Sequence, residues 1–365
     1  MNMLKKFEDI LVIYNGRNQK KVEDENGQYP IYGSGGIMGY ANDFICPANT
    51  VIIGRKGSIN NPIYVDKPLW NVDTAFGLVA KQDQILPKYL YYFCKYFNFE
   101  KLNTTVTIPS LTKSNLLKIE VEVSSIANQQ IIVRKLEMIE KLIQLKKQEL
   151  AKLDSLIKAR FVEMFGNENN PYNWPVVNVE EIANVTVGVV IKPAQYYTDA
   201  EHGIKAFRSL NIGPMCIKDT EWVYFSQEGN DKNSKSKLYE NDLLIVRSGA
   251  PGTACVITKQ FEGCNAIDVI IARPDIEHIN PHYLCAYTNF PHGKRQIEEG
   301  TGGAAQQHFN VGKYNKLKLF LPPMTKQNQF VDFVAQIDKS KVVYLKAARK
   351  YHKQSKVVEM KMSQC

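Results

Sequence analysis

The stretch Asn170-Pro171-Tyr172-Asn173-Trp174 comes nearest to a chemical motif in this chain. An N6-adenine methyltransferase grips its flipped base with a D/N-P-P-Y/F segment, and this one lacks the second proline and reads as a linker. Pro274-Asp275 is followed by no E-x-K at a usable distance, so it does not make a PD-(D/E)xK nuclease. Gly54-Arg55-Lys56-Gly57-Ser58 is basic and glycine-bounded, but the G-x-x-x-x-G-K-S/T spacing that cradles a nucleotide is missing. Gly33-Ser34-Gly35-Gly36 lacks the dinucleotide-binding spacing. The six histidines are scattered and suggest no acid–base pair. The seven cysteines (Cys46, Cys94, Cys216, Cys255, Cys264, Cys285 and Cys365) form no CxxC pair. Reduced thiols explain them better than disulfides, and Cys255, Cys264, His278 and His282 lack the tight local pairs of a zinc site. The expectation is a chain with no catalytic centre, no metal and no cofactor of its own.

What remains is charge. The 365 residues carry a formal net charge of +9, and the pI is near 9.0. A basic balance suits a polyanion, because each neutralised phosphate releases counterions and adds affinity. With 44% hydrophobic and 23% charged residues the composition is that of an ordinary globular protein. No apolar run approaches the roughly 18 residues that span a bilayer, and the acidic pair Glu8-Asp9 argues against a signal peptide. A cytoplasmic protein with no membrane partner is expected.

The elements that would position such charges occur twice, in the same order. Phe7-Glu8-Asp9-Ile10 is answered by Val179-Glu180-Glu181-Ile182, and Gly16 by Gly188. Val51-Ile52-Ile53-Gly54-Arg55-Lys56-Gly57 is answered by Leu243-Leu244-Ile245-Val246-Arg247-Ser248-Gly249. Asn71-Val72-Asp73 matches Asn265-Ala266-Ile267-Asp268 loosely, and Ile85-Leu86-Pro87-Lys88-Tyr89-Leu90 matches Ile279-Asn280-Pro281-His282-Tyr283-Leu284 well. Leu117 to Val121 aligns with Asn315 to Leu319. Two tandem copies of one fold follow. In each, short apolar segments cut by Gly, Pro and Asn read as β-rich with irregular loops. A short helix then follows each Pro-x-Tyr-Leu (Tyr89 to Tyr96, Tyr283 to Asn289), then a closing strand and one long helix.

The long helices are the plainest periodic signal. Ile132, Leu136, Ile139, Ile143, Lys146, Leu150, Leu153 and Ile157 alternate spacings of four and three, the seam of a coiled coil broken once by Lys146. Phe330, Val334, Ile337, Lys341, Tyr344, Ala348 and Tyr351 repeat it. Ser124-Ser125 precedes the first helix and Gly166 ends it, with Asn169-Asn170-Pro171 as linker, while Thr325 offers a cap for the second. About 35 residues at 1.5 Å each make a rod of roughly 50 Å. Two such helices paired antiparallel would hold two heads at a fixed separation, and a turn of B-DNA is about 34 Å. Heads with a shared framework and different loops suit two different half-sites.

Over essentially its whole length the chain resembles a type I restriction-modification specificity subunit. The resemblance rests on Leu244-Ile245-Val246-Arg247-Ser248-Gly249, Phe207-Arg208-Ser209-Leu210-Asn211-Ile212, and Leu153-Asp154-Ser155-Leu156-Ile157 running into Arg160-Phe161, Phe165-Gly166 and Trp174-Pro175. The Leu-Pro-Pro and glutamine-rich entry to the last helix, Leu321 to Gln329, completes it. Phe207-Arg208-Ser209-Leu210-Asn211 has only a faint counterpart in the first half, Tyr29 to Ser34. The resemblance implies an α+β chain of two pseudo-symmetric, β-rich target-recognition domains separated by two long helices in an antiparallel coiled coil. The domains would be residues 1–123 and 166–322, the helices 124–165 and 323–358, and 359–365 a tail. It further implies double-stranded DNA with a bipartite site as ligand, two methyltransferase subunits clasping the helices, and motor-nuclease subunits joining them. S-adenosylmethionine would belong to the methyltransferase, and ATP with Mg to the motor.

The residues expected on DNA are loop cations and amides near the ends of the matched strands, since Arg, Asn and Gln read base edges while Lys mostly holds phosphates. In the first domain these are Arg17, Lys20, Lys21, Arg55, Lys56, Asn60 and Asn61. In the second they are Lys192, Arg208, Asn211, Arg247 and Ser248, with Lys232, Lys235 and Lys237 on phosphates. The matched pair Arg55 and Arg247 is the foremost candidate, against the alternative that each arginine braces a turn through backbone carbonyls. Thr301-Gly302-Gly303 could bring bare backbone to a phosphate. The basic last helix (Lys339, Lys341, Lys346, Arg349, Lys350, Lys353 and Lys356) has two readings, a lining for DNA between the heads or the wet side of a coiled coil, and the second is preferred. Other classes stay open: the specificity subunit of a related restriction enzyme of another type, a stand-alone regulator, or an enzyme on an unfamiliar fold. A regulator would bring a helix-turn-helix, which is not found.

Overall fold

The computed structural model describes residues 3–103, 109–167, 169–301 and 309–342. Contacts divide it into two compact units, the first within Met1–Glu149 and the second Leu150–Val342.

In the first unit Leu11–Asn15 pairs with Ala75–Ala80, which pairs with Thr50–Gly54, which pairs with Ile63–Val65, all antiparallel. Every residue of Thr50–Gly54 is buried, because both faces of this central strand are covered. Val51 and Ile53 face one core cluster with Phe76, Leu78 and the helix Pro87–Tyr96. Ile52 faces the other, with Cys46, Val65 and Leu69. Beside this sheet lies a smaller one, Gly36–Ala41, Tyr29–Gly33 and Trp70–Asn71, whose last pair is parallel. Met3–Lys6 and Glu120–Val123 close the unit as an antiparallel pair.

The second unit repeats the strand order of the main sheet and adds one strand to the smaller sheet. Its main sheet runs Ala183–Val187, Val269–Pro274, Leu243–Val246, Ala254–Val256. Its smaller sheet runs Tyr197–Thr198, Val223–Phe225, Ile204–Phe207, Asn265–Ala266, again with the last pair parallel. Val176–Asn178 and Lys318–Phe320 close it. The faint counterpart of Phe207 thereby becomes definite: Tyr29–Gly33 and Ile204–Phe207 are the equivalent strands, each lying parallel to the short strand that precedes the longest one.

Gly16 and Gly188 are equivalent for a steric reason. A Cβ on either would lie 1.8 Å from the Val72 carbonyl oxygen or 2.4 Å from that of Ala266. Both short helices start at their proline, Pro87–Tyr96 and Pro281–Asn289, two residues earlier than the sequence suggests, since the fixed proline φ suits a first helical position. The second unit adds a helix, Pro291–Thr301, where the first has only the 3₁₀ turn Phe99–Leu102.

The long helix is Ile126–Phe165, 40 residues. The Ser125 hydroxyl accepts from the Asn128 N–H at 3.4 Å at its start, and Gly166 at φ 85° ends it. Another helix runs over 324–342. Thr325 lies inside its first turn and does not cap it; the Pro323 carbonyl takes the first helical bonds, from Lys326 at 2.8 Å and Gln327 at 3.2 Å. Along the first seam Leu136 and Ile157 are buried, and Ile132, Ile139, Ile143, Lys146, Leu150 and Leu153 are half-buried. Phe330 and Val334 are buried, with Ile337 and Lys341 half-buried. Leu136 belongs to the core of the first unit, and Ile157, Phe330 and Val334 to that of the second, so these ends of the seam also serve their heads. Lys341 Nζ reaches Asp154 at 2.8 Å and Asp338 at 3.0 Å, an ionic peg in an apolar seam. Tyr344, Ala348 and Tyr351, the cations from Lys346 onward, Gly302, Gly303 and the tail lie outside the described residues.

The two units share a buried joint that their residue types do not announce. Gln129 and Gln327 are fully buried near the starts of the two helices. Gln129 Oε1 accepts from the Leu86 N–H at 2.8 Å while its Nε2 donates to the carbonyls of Gln84 and Ser124 at 3.1 and 2.8 Å. Gln327 does the same with Asn280 (2.8 Å), His278 (3.3 Å) and Pro322 (2.8 Å). Each long helix is thus hydrogen-bonded to the loop ahead of its own unit's proline-started helix.

Candidate nucleic-acid interface

In the first unit Asn15 pairs with Phe76 and Gly54 with Ala75, so the chain leaves both strands at the same end of the sheet. Arg17 and Arg55 emerge there side by side in the fold. Their backbone N–H groups donate to the carbonyls of Asn71 (2.9 Å) and Thr74 (2.8 Å), in the short segment that leads into the strand Ala75–Ala80. Trp70 Nε1 donates to the Arg17 carbonyl at 2.9 Å, and Leu111 N–H to that of Arg55 at 2.9 Å. The backbones are committed, and the side chains of Arg17, Lys20, Lys21, Arg55 and Lys56 are exposed. The Arg55 guanidinium lies 5.7 Å from the Phe76 ring and pairs with no carboxylate among the described residues. Asn61 is exposed; Asn60 also is, but its Oδ1 accepts from the Phe99 N–H at 2.8 Å, which ties it to that turn.

The second unit builds the same end differently. Phe309 N–H donates to the Arg247 carbonyl at 3.0 Å, as Leu111 does to Arg55. The Arg247 side chain, however, is 17% exposed and ion-paired with Asp268, and its Nε donates to the Phe309 carbonyl at 3.4 Å. Asp268 sits at φ 49°, a left-handed conformation that aspartate tolerates better than most residues. Ser248 is half-buried and Lys192 is exposed at φ 43°. Arg208 is half-buried and donates to the Glu221 carbonyl at 2.6 Å. Asn211 faces inward: it is fully buried, its Oδ1 accepts from the Arg208 N–H at 3.0 Å and its Nδ2 donates to the Thr220 carbonyl at 2.7 Å. Its amide braces the loop, so it is not offered to a ligand. Lys232 and Lys237 are paired with Glu228 and Asp231 at 2.6 Å each, while Lys235 is exposed.

Of the matched pair, Arg55 is open and Arg247 is ion-paired with Asp268, so the plainer test falls on Arg55. Arg55→Ala in the first head should weaken DNA binding and lower the slope of log affinity against log salt by about one, the signature of one lost phosphate contact. An unchanged slope with relaxed sequence preference would instead make Arg55 a base reader. The measurement is a salt series of DNA titrations.

Burial pushes the thiols of Cys46 and Cys255 up to about 12 and that of Cys264 to about 11, so these are apolar core groups rather than nucleophiles. Among the described residues no His, Cys, Asp and Glu side chains gather in threes as metal ligands, and no helix is long and apolar enough to cross a membrane.

The sequence matches the family described as type I restriction modification DNA specificity domain, over residues 2–155 and again over 158–350. The MjaIX specificity subunit of Methanocaldococcus jannaschii is 22% identical over 315 residues, 80% of this chain and 71% of that protein. The EcoBI specificity subunit of Escherichia coli is 20% identical over 313 residues, 79% of this chain and 66% of that one. The fold is shared with the crystal structure of a type I restriction-modification S subunit from M. genitalium. The TM-score is 0.57 at 14% identity, covering 98% of this chain and 95% of that one. It is shared also with a chain from a study of complex assembly in the type I system, with a TM-score of 0.63, 13% identity, and coverage of 99% and 97%.

Proposed function

This chain belongs to the type I restriction-modification DNA specificity family, and from that premise we propose that it is the non-catalytic, sequence-reading subunit of a methyltransferase and endonuclease complex in the cytoplasm. Each head reads one half of a bipartite, asymmetric site on double-stranded DNA. The long helices set the gap between the halves and dock two methyltransferase subunits, which motor-nuclease subunits join. S-adenosylmethionine is then the methyltransferase's cofactor, and ATP with Mg the motor's. One observation carries this reading: the same strand order ends twice in the same loop, with Arg55 open in one and Arg247 paired to Asp268 in the other. A shared scaffold with differently armed loops is what two unlike half-sites require.

Arg17, Lys20, Lys21, Arg55, Lys56 and Asn61 in the first head, and Lys192, Arg208, Arg247, Ser248 and Lys235 in the second, are the proposed contacts. Selection of bound duplexes from a random pool by the chain with its methyltransferase partner tests this. Two short blocks at a constant gap are expected, and one continuous block would contradict two separate readers.

A further inference from the structure

The first head carries an exposed apolar feature among its cations that DNA binding through arginine and lysine does not use. Tyr29–Gly33 and Gly36–Ala41 form a hairpin, closed by the pair Gly33 with Gly36. Just past the turn, Ile37 is 55% exposed and Met38 61%. The register shifts opposite Ile31 and Tyr32, so the pairing passes from Gly39 to Ile37 and leaves Met38 as the extra residue. Such a bulge re-aims side chains and is a built feature of a strand. Met38 also leans on Gly33, whose absent Cβ would lie 2.6 Å from the Met38 sulfur. Two neighbouring aliphatic side chains displayed on a sheet edge are a hazard unless something covers them in the working state.

The surroundings of the turn say what covers them. Ser34 lies against Gly54, the residue before Arg55, with its Cβ 3.0 Å from where a Gly54 Cβ would be. On the other side Val72 lies near Gly33 and presses its carbonyl on Gly16, the residue before Arg17. The turn therefore sits between the two loops that expose Arg17, Arg55 and Lys56. Of the acids of the 17–28 loop, Glu23 reaches the strand just past the bulge, its Oε1 3.4 Å from where a Gly39 Cβ would be, and Asp24 lies further on, toward Tyr40 and Asn42. Glu23 bridges to Ala41, Asp24 N–H donates to the Tyr40 carbonyl at 2.9 Å, and the Asp24 carboxylate accepts from Asn42 at 2.7 Å. The turn itself is thus flanked by the exposed cations Arg17, Arg55 and Lys56, and the carboxylate of Glu23 lies at Gly39, on the far side of the bulge.

We propose that this turn makes an apolar base contact: Ile37 and Met38 enter a DNA groove while Arg17, Arg55 and Lys56 hold the flanking phosphates. The contact rests on the reading of this head as a DNA reader. The groove feature that matches aliphatic side chains is the thymine methyl group with the adjoining base edge. An apolar contact releases no counterion, which separates it from every lysine and arginine contact nearby.

The test is a DNA titration of the complex with its methyltransferase partner, comparing wild type with the double variant Ile37→Ser, Met38→Ser. Duplexes carry the selected site or the same site with either half scrambled. The double variant is expected to bind the intact site about tenfold more weakly, from the lost burial of two side chains. The salt slope should stay at the wild-type value, and scrambling the first head's half-site should abolish the difference between variant and wild type. Ile37→Val, Met38→Leu should restore wild-type affinity. Equal affinity of the serine variant and wild type for the intact site would overturn the hairpin contact alone. So would weakened capture of the methyltransferase with DNA affinity unchanged, which would make the patch a protein contact. A wild-type complex indifferent to both halves would overturn the DNA-reading premise itself.

Discussion

Seven residues inserted in register into both long helices should lengthen the gap between the half-sites by about three base pairs and leave both half-sites unchanged. One heptad adds roughly 10 Å of helix at 1.5 Å per residue, and B-DNA rises about 3.4 Å per base pair. The heptad keeps the seam in phase, because Ile139, Ile143, Leu150 and Leu153 recur at spacings that a seven-residue insert preserves. Inserting into only one helix should do more harm than inserting into both. Where the insert shifts the two helices past each other at that level, it would separate Lys341 from Asp154, which now meet at 2.8 Å, and leave Lys341 with Asp338 of its own helix alone. The readout is the gap length in duplexes selected by each variant. A gap that stays constant while the half-site sequences change would refute the helices as spacer.

The second large effect is on stability. Phe161 is fully buried, and its ring meets those of Phe165, Tyr283, Tyr287, Phe290, His292 and Phe330 at centroid distances of 4.9 to 6.0 Å. It is the knob by which the end of the first long helix enters the core of the second unit. Phe161→Ala should cost about 3–5 kcal/mol, a large share of the roughly 5–15 kcal/mol that holds a domain folded. Denaturant unfolding should show the second unit melting at markedly lower denaturant, with the first unit's transition in place. Phe161→Leu should recover part of the loss. An unchanged midpoint in the alanine variant would mean the helix end is not anchored there.

Much of the framework was legible because repeats and periods survive in residue types. The doubled strand order announced itself through Gly16 and Gly188, each pressed on a carbonyl, and through the apolar runs before Arg55 and Arg247. The seam was legible because half-buried positions at four-and-three spacing must be apolar, with Lys146 and Lys341 as exceptions that bond to Glu149 and to Asp154 and Asp338. Side-chain commitments were not legible. Nothing in residue type says that Asn211 turns inward to its own loop, or that Asp268 claims Arg247 while Thr74 occupies the matching place near Arg55. Gln129 and Gln327 are buried joints, because on each amide two backbone groups from a distant segment and one from five residues upstream converge. The hairpin bulge at Met38 depends on pairing register, which a short glycine-rich strand specifies weakly.

The most direct measurement is a genome-wide map of N6-methyladenine after co-expression of the chain with its methyltransferase in a host that lacks such methylation. Two short specific blocks around a gap of fixed length are predicted, each block changing only when its own head is altered. Methylation at a single uninterrupted motif, or none from a soluble complex of the two proteins, would contradict a chain of two readers joined by helices.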